Sequence, residues 1–207
     1  MHTTAIALST ILLSSTAIAA EAFPWAKEQR LTGKGGALVW KVTRAEGETV
    51  IEGAHPKWTV VHKCAPDGSP RETVKTVDGR TSRIVWTKDG VEYTWDTRDK
   101  KAPRKIAQRG LWDGDTLDAR LAGIGWSQGK SVEFKILDTE KPDGDVVPMR
   151  AESEGTEQCS QGACHKVRLR YVGFGAVFVA PWDYRFGASE GAPYYRYSHE
   201  AESFEAK

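Results

Sequence analysis

Two cysteines five positions apart are the strongest chemical signal in this sequence. Cys159 and Cys164 enclose a Ser-Gln-Gly-Ala segment, and His165 directly follows the second thiol. Two thiols followed by a histidine are typical of c-type haem attachment, although the usual spacing is shorter. Haem also needs a second axial ligand and helices or apolar walls, whereas the flanking residues here alternate as in strands. We therefore expect a disulfide that joins two antiparallel strands across their turn, with haem attachment as the alternative.

A third cysteine and three histidines suggest a metal site as a further possibility. His62 and Cys64 lie two positions apart in a predicted strand, so their side chains share one face of the sheet. His55 and His165 would have to complete the ligand set. Two soft ligands without a paired motif are more typical of a half-exposed histidine beside a core cysteine. We expect no metal and no cofactor, and we expect Cys64 to be a free, buried thiol.

Carboxylates that could serve a hydrolase are present without the surroundings that hydrolases need. Asp113 and Asp115 precede a short predicted helix, and capping of that helix explains them. Asp183 lies in a Pro-Trp-Asp-Tyr segment, where a carboxylate favours a turn. His199, in the last predicted strand, is typical of a surface residue. The sequence contains no nucleophile elbow, metal-hydrolase helix or phosphate loop around these residues, so we assign no catalytic residue.

The first element that the sequence predicts is a short apolar segment from Thr4 to Ala20. It is shorter than the roughly 20 residues of a spanning helix, and it ends in Ala-Ile-Ala-Ala. Small residues at that end are typical of a secretory signal peptide cleaved after Ala19 or Ala20. The segment before it contains no lysine or arginine, so an uncleaved anchor is the alternative. We predict a signal peptide at residues 1–20, a connector at 21–36, and a single β-rich domain at 37–207.

Charge and composition exclude several classes of partner. The chain has 29 Lys and Arg against 28 Asp and Glu, a net charge of +1. This balance gives no reason to expect binding to nucleic acid or polybasic attachment to a membrane. Hydrophobic residues make up 40% of the chain, and 8 Trp, 6 Tyr and 6 Phe supply a packed core. We expect a periplasmic or secreted protein without a membrane segment after cleavage, in a compartment that permits disulfides.

Short alternating segments separated by Gly and Pro turns predict about ten strands. Asp78-Gly79 and Asp89-Gly90 are tight-hairpin dipeptides, and they join three of these segments into a meander. In the third segment Val91, Tyr93 and Trp95 face one side of the sheet. The predicted strands are 37–43, 48–52, 57–63, 71–77, 81–87, 91–97, 131–137, 145–154, 166–171, 176–180 and 194–204.

One predicted helix, Thr116 to Ala122, interrupts the strands, with Leu117 and Leu121 on one of its faces. The basic segment from Arg98 to Arg109 before it is expected to be a solvated loop. We predict a mainly β fold, an antiparallel meander curled into a barrel or half-barrel whose concave side the helix plugs. A β-sandwich is the alternative. A curled sheet with an apolar interior forms a ligand cavity, whereas a sandwich fills its own centre.

The order of segments in the second half of the chain resembles a known family. Its parts are Trp112-Asp-Gly-Asp-Thr-Leu, the strand 131–137, Val147-Pro-Met-Arg, the hairpin 156–168, and Ala192-Pro-Tyr-Tyr-Arg-Tyr. Over residues 37–204 the chain resembles the bacterial periplasmic proteins of domain of unknown function 3108. The resemblance implies a curled antiparallel sheet similar to the periplasmic lipoprotein carriers LolA and LolB, and it implies no catalytic residue. The cysteine pair at the hairpin departs from the family pattern.

The predicted function follows from this fold by analogy. We expect an exported protein that binds or carries an apolar small molecule or an envelope component, and we favour binding over catalysis. An envelope enzyme, for example a carbohydrate-active one, and a purely structural or interaction domain are the alternatives. Core packing explains most of the aromatic residues near the C-terminus. The candidate cavity residues are Leu117, Leu121, Trp86, Trp95, Tyr93, Trp182 and Tyr195.

Overall fold

A computed structural model describes residues 28–33, 36–66, 68–139, 142–159, 162–173, 179–188, 194–199 and 202–206. The predicted signal peptide, its cleavage site and residues 176–178 of one predicted strand lie outside these residues. Among the described residues, no helix is both long and apolar enough to cross a membrane.

Fifteen strands in the described part of the chain form one curled sheet. The first eight are β1 (Glu28–Gly33), β2 (Gly36–Ala45), β3 (Glu48–His55), β4 (Trp58–Cys64), β5 (Pro70–Val77), β6 (Arg80–Thr87), β7 (Gly90–Thr94) and β8 (Arg104–Ile106). The others are β9 (Leu111–Asp113), β10 (Ser131–Asp138), β11 (Asp145–Cys159), β12 (Gly162–Tyr171), β13 (Trp182–Gly187), β14 (Tyr194–His199) and β15 (Glu202–Ala206). All neighbours pair antiparallel except β9 and β10, which are parallel.

The order of the strands in the sheet is sequential with one exception. β1 pairs with β15, where Leu31 lies opposite Ala206, so the first and last strands meet in the middle of the sheet. The strands β8 and β9 are its two edges. The predicted hairpin at Asp78-Gly79 is present, with both residues at positive φ (48° and 72°), the conformation that a two-residue turn of this kind requires. The predicted mainly β, curled and antiparallel fold is confirmed.

A short helix fills the concave side of the sheet. A 3-10 turn at Gly114–Thr116 leads into α1 (Leu117–Ala122), and both Leu117 and Leu121 are buried. Their core cluster includes residues from both halves of the sheet, among them Trp40 of β2 and Phe186 of β13. Because one contiguous core cluster joins α1 to strands so distant in the sheet, the sheet must curl around the helix.

The two ends of the sheet overlap. A second apolar cluster joins Ile84, Val91 and Tyr93 of β6 and β7 to Leu111 of β9 and Leu137 of β10. In addition, the indole nitrogen of Trp86 on β6 donates a hydrogen bond to the backbone carbonyl of Leu111, at 3.4 Å. The edge strand β9 therefore packs against the inward face of the other end of the sheet. We call this contact between the two ends of the sheet the seam. Side chains, rather than a ladder of backbone hydrogen bonds, hold it together.

Four described strands, β1, β8, β9 and β13, lie where the sequence indicated none, and composition hides the first two. β1 falls inside the predicted connector, and its single large apolar residue, Leu31, is fully buried. β8 falls inside the basic segment predicted to be a solvated loop, where Ile106 packs against the second cluster. Pairing and packing with neighbouring strands stabilise β1 and β8. Their own sequences therefore need little alternation of apolar and polar residues, which is why that pattern did not reveal them.

The segment around Asp183 also differs from its prediction. It lies in β13 rather than in a turn, and its carboxylate accepts a hydrogen bond from Arg168 Nε at 3.2 Å. Tyr184 and Phe186 alternate with Asp183 and Arg185 as in any half-buried strand, and the preceding Pro181 concealed this period. In the strand predicted at 176–180, the described residues 179–180 are not in a strand.

Candidate functional site

A cavity of about 460 Å³ lies at one end of strands β4 to β7. We call it the rim cavity, and its walls are Lys57, Trp58, Lys75, Val77, Asp78, Arg80, Ser82, Trp95 and Thr139. The two indole rings and Val77 give it apolar walls. The β3–β4 and β5–β6 hairpins supply its charged residues, because each hairpin places polar turn residues at this end of the sheet.

A second cavity of about 240 Å³, the central cavity, lies beside α1 between strands β2–β5 and β10–β13. Leu38, Trp40 and Leu117 are among its apolar walls, and Asp118 and Asp138 are among its acidic ones. Three residues, Trp58, Lys75 and Thr139, line both cavities. The two cavities therefore share a wall, which these three side chains form.

A buried ion pair lies in this shared wall. Lys75 Nζ is 2.5 Å from Asp115 Oδ1, and the side chains are only 10% and 8% exposed. The other carboxylate oxygen of Asp115 accepts a hydrogen bond from Thr139 Oγ1 at 2.8 Å. Burial raises the pKa of Asp115 to about 6, and repulsion by Asp113 adds to the rise while Lys75 opposes it. The Lys75 ammonium is also 6.0 Å from the centre of the Trp58 ring, within the range of a cation–π contact.

A chain of three buried side chains lies next to this pair. Thr73 Oγ1 donates to Asp113 Oδ2 at 2.5 Å and lies 2.6 Å from His62 Nδ1. Because the threonine proton is used on Asp113, we assign His62 Nδ1 as the donor to Thr73. His62 Nε2 is buried and has no hydrogen-bond partner among the described residues. Full burial of His62 corrects the expectation of a half-exposed histidine, because β9 covers this face of β4 and β5.

Several neighbouring groups stabilise the negative charge of Asp113. Burial alone would raise its pKa, but His62, the Thr73 hydroxyl and the backbone N–H of Asp115 outweigh burial and hold the pKa of Asp113 below its usual range. The Arg120 guanidinium on α1 lies over the Trp112 ring at 5.4 Å. Burial lowers the pKa of Arg120, while the charge of Asp113 opposes that change. Asp113 is thus an ionised group inside the protein with cationic and polar neighbours.

The two aspartates predicted as caps have different roles. Asp113 Oδ1 accepts from the backbone N–H of Asp115 at 2.9 Å, so Asp113 does cap the 3-10 turn before α1. Asp115 makes no such cap, and its carboxylate binds Lys75 and Thr139 instead. The sequence could not indicate this, since the partner Lys75 is 40 residues away and only the curl of the sheet brings it near.

The predicted disulfide is present. Cys159 and Cys164 are bonded, with their Cα atoms 5.9 Å apart across the β11–β12 hairpin, and Cys64 is a free, buried cysteine. The bond leaves neither thiol for haem attachment. In the described part of the chain, the three potential ligands that lie close enough for one ion are these two cysteines and Glu157. His62 and Cys64 are therefore not part of such a group.

The structure separates the seven candidate cavity residues. Leu117 and Trp182 line the central cavity, and Trp95 lines the rim cavity. Leu121, Trp86 and Tyr93 instead belong to the two apolar clusters, and burial raises the pKa of the Tyr93 hydroxyl, which donates to the Thr139 carbonyl at 3.0 Å. Tyr195 lies in β14, and its side chain is outside the description. The cavity residues that the sequence analysis did not select include Trp58, Lys75 and Arg80.

Comparison with known proteins identifies the fold and goes no further. No family model matches the chain, and no curated protein matches its sequence. A solved structure from Brucella abortus, described as a beta-barrel-like protein of domain of unknown function DUF1849, is similar with a TM-score of 0.51 and 10% identity. The similarity covers 87% of this chain and 92% of that chain.

This protein is accordingly a β-barrel-like domain whose sheet is curled but not closed. An identity of 10% shows a shared fold alone. The resemblance to domain of unknown function 3108 and to the lipoprotein carriers LolA and LolB has no family match to support it and stays a prediction.

Proposed function

We propose that this protein is an exported, periplasmic binding protein that takes up a small apolar molecule in the rim cavity. The observation that carries the proposal is the cavity itself, about 460 Å³ with Trp58, Trp95 and Val77 in its walls. Sites for small molecules are concave, mostly apolar and roughly 300–1,000 Å³ in volume. The predicted signal peptide and the disulfide support export to an oxidising compartment.

The position of the most reactive side chains favours binding over catalysis. His62, Thr73 and Asp113 have the composition of a proton relay, but all three are buried and they line neither of the two cavities. A catalytic base must come within hydrogen-bond reach of its substrate. The relay instead connects strands β4 and β5 to β9, which is a structural role.

Uptake of the neutral fluorescent probe N-phenyl-1-naphthylamine tests the proposal. The wild-type protein should bind the probe, and Trp95→Ala should weaken binding about tenfold, because the lost wall is worth on the order of 1.5 kcal/mol. Trp86→Ala is the matched control, since Trp86 is also half-buried but lines neither cavity. The proposal fails if the wild type takes up no probe, or if both variants lose binding equally while remaining folded.

Native mass spectrometry of protein purified from its own periplasm provides an independent check. A retained apolar molecule should appear as added mass, and mild organic extraction should remove it. Trp95→Ala purified in the same way should retain less of it than Trp86→Ala does.

A further inference from the structure

The wall between the rim cavity and the central cavity consists of side chains linked by direct contacts. Thr139 Oγ1 donates to Asp115 Oδ2 at 2.8 Å, and Asp115 Oδ1 is 2.5 Å from Lys75 Nζ. The Lys75 ammonium in turn lies 6.0 Å from the centre of the Trp58 ring. Trp58 and Lys75 extend from β4 and β5, whereas Thr139 follows β10. The chain of contacts therefore runs from one half of the sheet to the other.

Two members of this wall are anchored by other buried side chains. The Tyr93 hydroxyl donates to the backbone carbonyl of Thr139 at 3.0 Å. The Trp58 ring contacts the buried ring of Trp40, with 6.1 Å between the ring centres. Lys75 reaches its position in the wall through a flexible stem of four carbons. Replacement of Lys75 therefore changes the width of the wall while its anchored members stay in place.

Apolar surface lies on both sides of the wall. On the central side it includes Leu38, Leu117 and Met149. An unbranched apolar chain in the rim cavity gains binding energy with each buried methylene until its end reaches the Lys75–Asp115 pair. Further advance would have to separate this pair, whose side chains are only 10% and 8% exposed. Separation of a buried ion pair is strongly unfavourable because it leaves each charge without its partner.

We infer that Lys75 determines the length of the ligand that the rim cavity accepts. The ligand is an unbranched apolar chain whose last methyl group lies against the Lys75–Asp115 pair. Its polar end lies at the opening of the cavity, where Lys57, Asp78 and Arg80 are exposed. The inference rests on the proposed function, and it adds the chemical class of the ligand and the residue that limits its length.

A series of straight-chain primary alcohols tests the inference. Hexanol to hexadecanol, each below its solubility limit, compete with N-phenyl-1-naphthylamine at neutral pH. All of these alcohols are uncharged, so the charges at the opening of the cavity affect them alike. In the wild type each added methylene should tighten binding about fourfold up to a limiting length, and longer chains should gain nothing more. A gain that continues through the whole series would overturn the inference.

Two double variants separate the volume of the Lys75 side chain from its charge. Lys75→Ala with Asp115→Asn removes the ion pair and opens the wall. Lys75→Met with Asp115→Asn also removes the ion pair but keeps an unbranched side chain in the wall. Removal of both charges together avoids a buried charge without its partner, and Asp115→Asn retains an acceptor for Thr139 Oγ1. Thermal melting checks that both variants are folded.

The limiting length should change in one of these variants only. Lys75→Ala with Asp115→Asn should bind the alcohol two carbons beyond the wild-type limit about tenfold more tightly than the wild type does. Lys75→Met with Asp115→Asn should keep the wild-type limit. Lys57→Ala should keep it too, since Lys57 lines the rim cavity but not the shared wall.

The outcomes distinguish this inference from the proposed function. An unchanged limit in Lys75→Ala with Asp115→Asn, or an equal shift in both double variants, would overturn the inference and leave the proposed function standing. The wild-type series decides the matter by itself if the double variants do not fold. Absence of any probe binding by the wild type would overturn the proposed function itself.

Discussion

Thr73 on β5 donates a hydrogen bond to Asp113 on β9, and this bond joins two strands from opposite ends of the curled sheet. The same hydroxyl accepts from His62 on β4, so three strands meet at one buried oxygen. The Lys75–Asp115 pair makes a parallel connection two residues further along each segment. The seam of this half-barrel is thus polar at one end and apolar at the other, where Ile84 and Leu137 meet.

Removal of the Thr73 hydroxyl should destabilise the seam. Thr73→Val keeps the shape of the side chain but leaves Asp113 Oδ2 and His62 Nδ1 buried without this partner, which costs about 1–3 kcal/mol of unfolding free energy. Thr59→Val, at an exposed threonine on the neighbouring strand β4, is the control and should change stability by about 0.5 kcal/mol or less. Urea denaturation of the two variants measures the difference. Equal stabilities would mean that the hydroxyl does not support the seam.

Protonation of Asp115 should control stability between about pH 4 and pH 6. Its pKa is raised from 3.8 to about 6, so the folded protein binds more protons than the unfolded chain in this window. The free energy of unfolding therefore decreases as the pH rises through the window. Asp115→Asn cannot titrate, so the stability of the wild type relative to this variant should fall by about 1–3 kcal/mol over the window.

Denaturation of both proteins across this pH range measures the difference, which cancels the contribution of titrating groups that do not interact with Asp115. The exposed Asp78→Asn serves as the control and should follow the wild-type curve. A difference between the wild type and Asp115→Asn that stays constant with pH would contradict the prediction.

The disulfide should make only a small contribution to stability. Its loop contains four residues between Cys159 and Cys164, so it restricts the unfolded chain less than a 15-residue loop, for which the estimate is roughly 3 kcal/mol. Reduction should therefore lower the melting temperature slightly, and the variant with both cysteines replaced by alanine should not respond to reductant. Peptide mapping under non-reducing conditions should recover the bridged peptide. Complete unfolding on reduction would refute the estimate.

Leu121 should tolerate no charge. Its side chain is fully buried between α1 and the sheet, so Leu121→Asp places a carboxylate where water cannot reach it. We expect a loss of more than about 4 kcal/mol, or failure to fold. Leu121→Met preserves the volume and should cost less than about 1.5 kcal/mol. Similar melting temperatures for the two variants would show that the concave side near α1 is hydrated.

The fold class could be predicted because its signals are local. The hairpin at Asp78-Gly79 depends on two adjacent residues that adopt positive φ, and the burial of Val91 and Tyr93 follows from alternation within one strand. Leu117 and Leu121 lie on the same face of α1 because residues four positions apart in a helix do so. Each of these features depends only on residues that lie within a few positions of one another in the sequence.

The site could be predicted only in part because its inward face is polar. On β5, Thr73 and Lys75 point inward while Val74 points outward, the reverse of the usual pattern. This arrangement is stable only because Asp113 and Asp115 arrive from the other end of the sheet. Sequence periodicity carries no information about such partners, so Trp95 and Trp182 were selected as cavity residues whereas Trp58, Lys75 and Arg80 were not.

The pairing of β1 with β15 has a consequence for the connectivity of the chain. If these two strands were linked directly and the backbone were opened between Ala107 and Gly110, the new chain would begin at β9 and end at β8. It would then run from one edge of the sheet to the other with every neighbouring pair of strands consecutive in sequence. Such a circular permutant would have a lower contact order than the natural chain, and proteins with lower contact order fold faster. In the natural chain the pairing of β1 with β15 closes the longest loop of any strand pair in the described sheet, and the permutant would convert it into a hairpin.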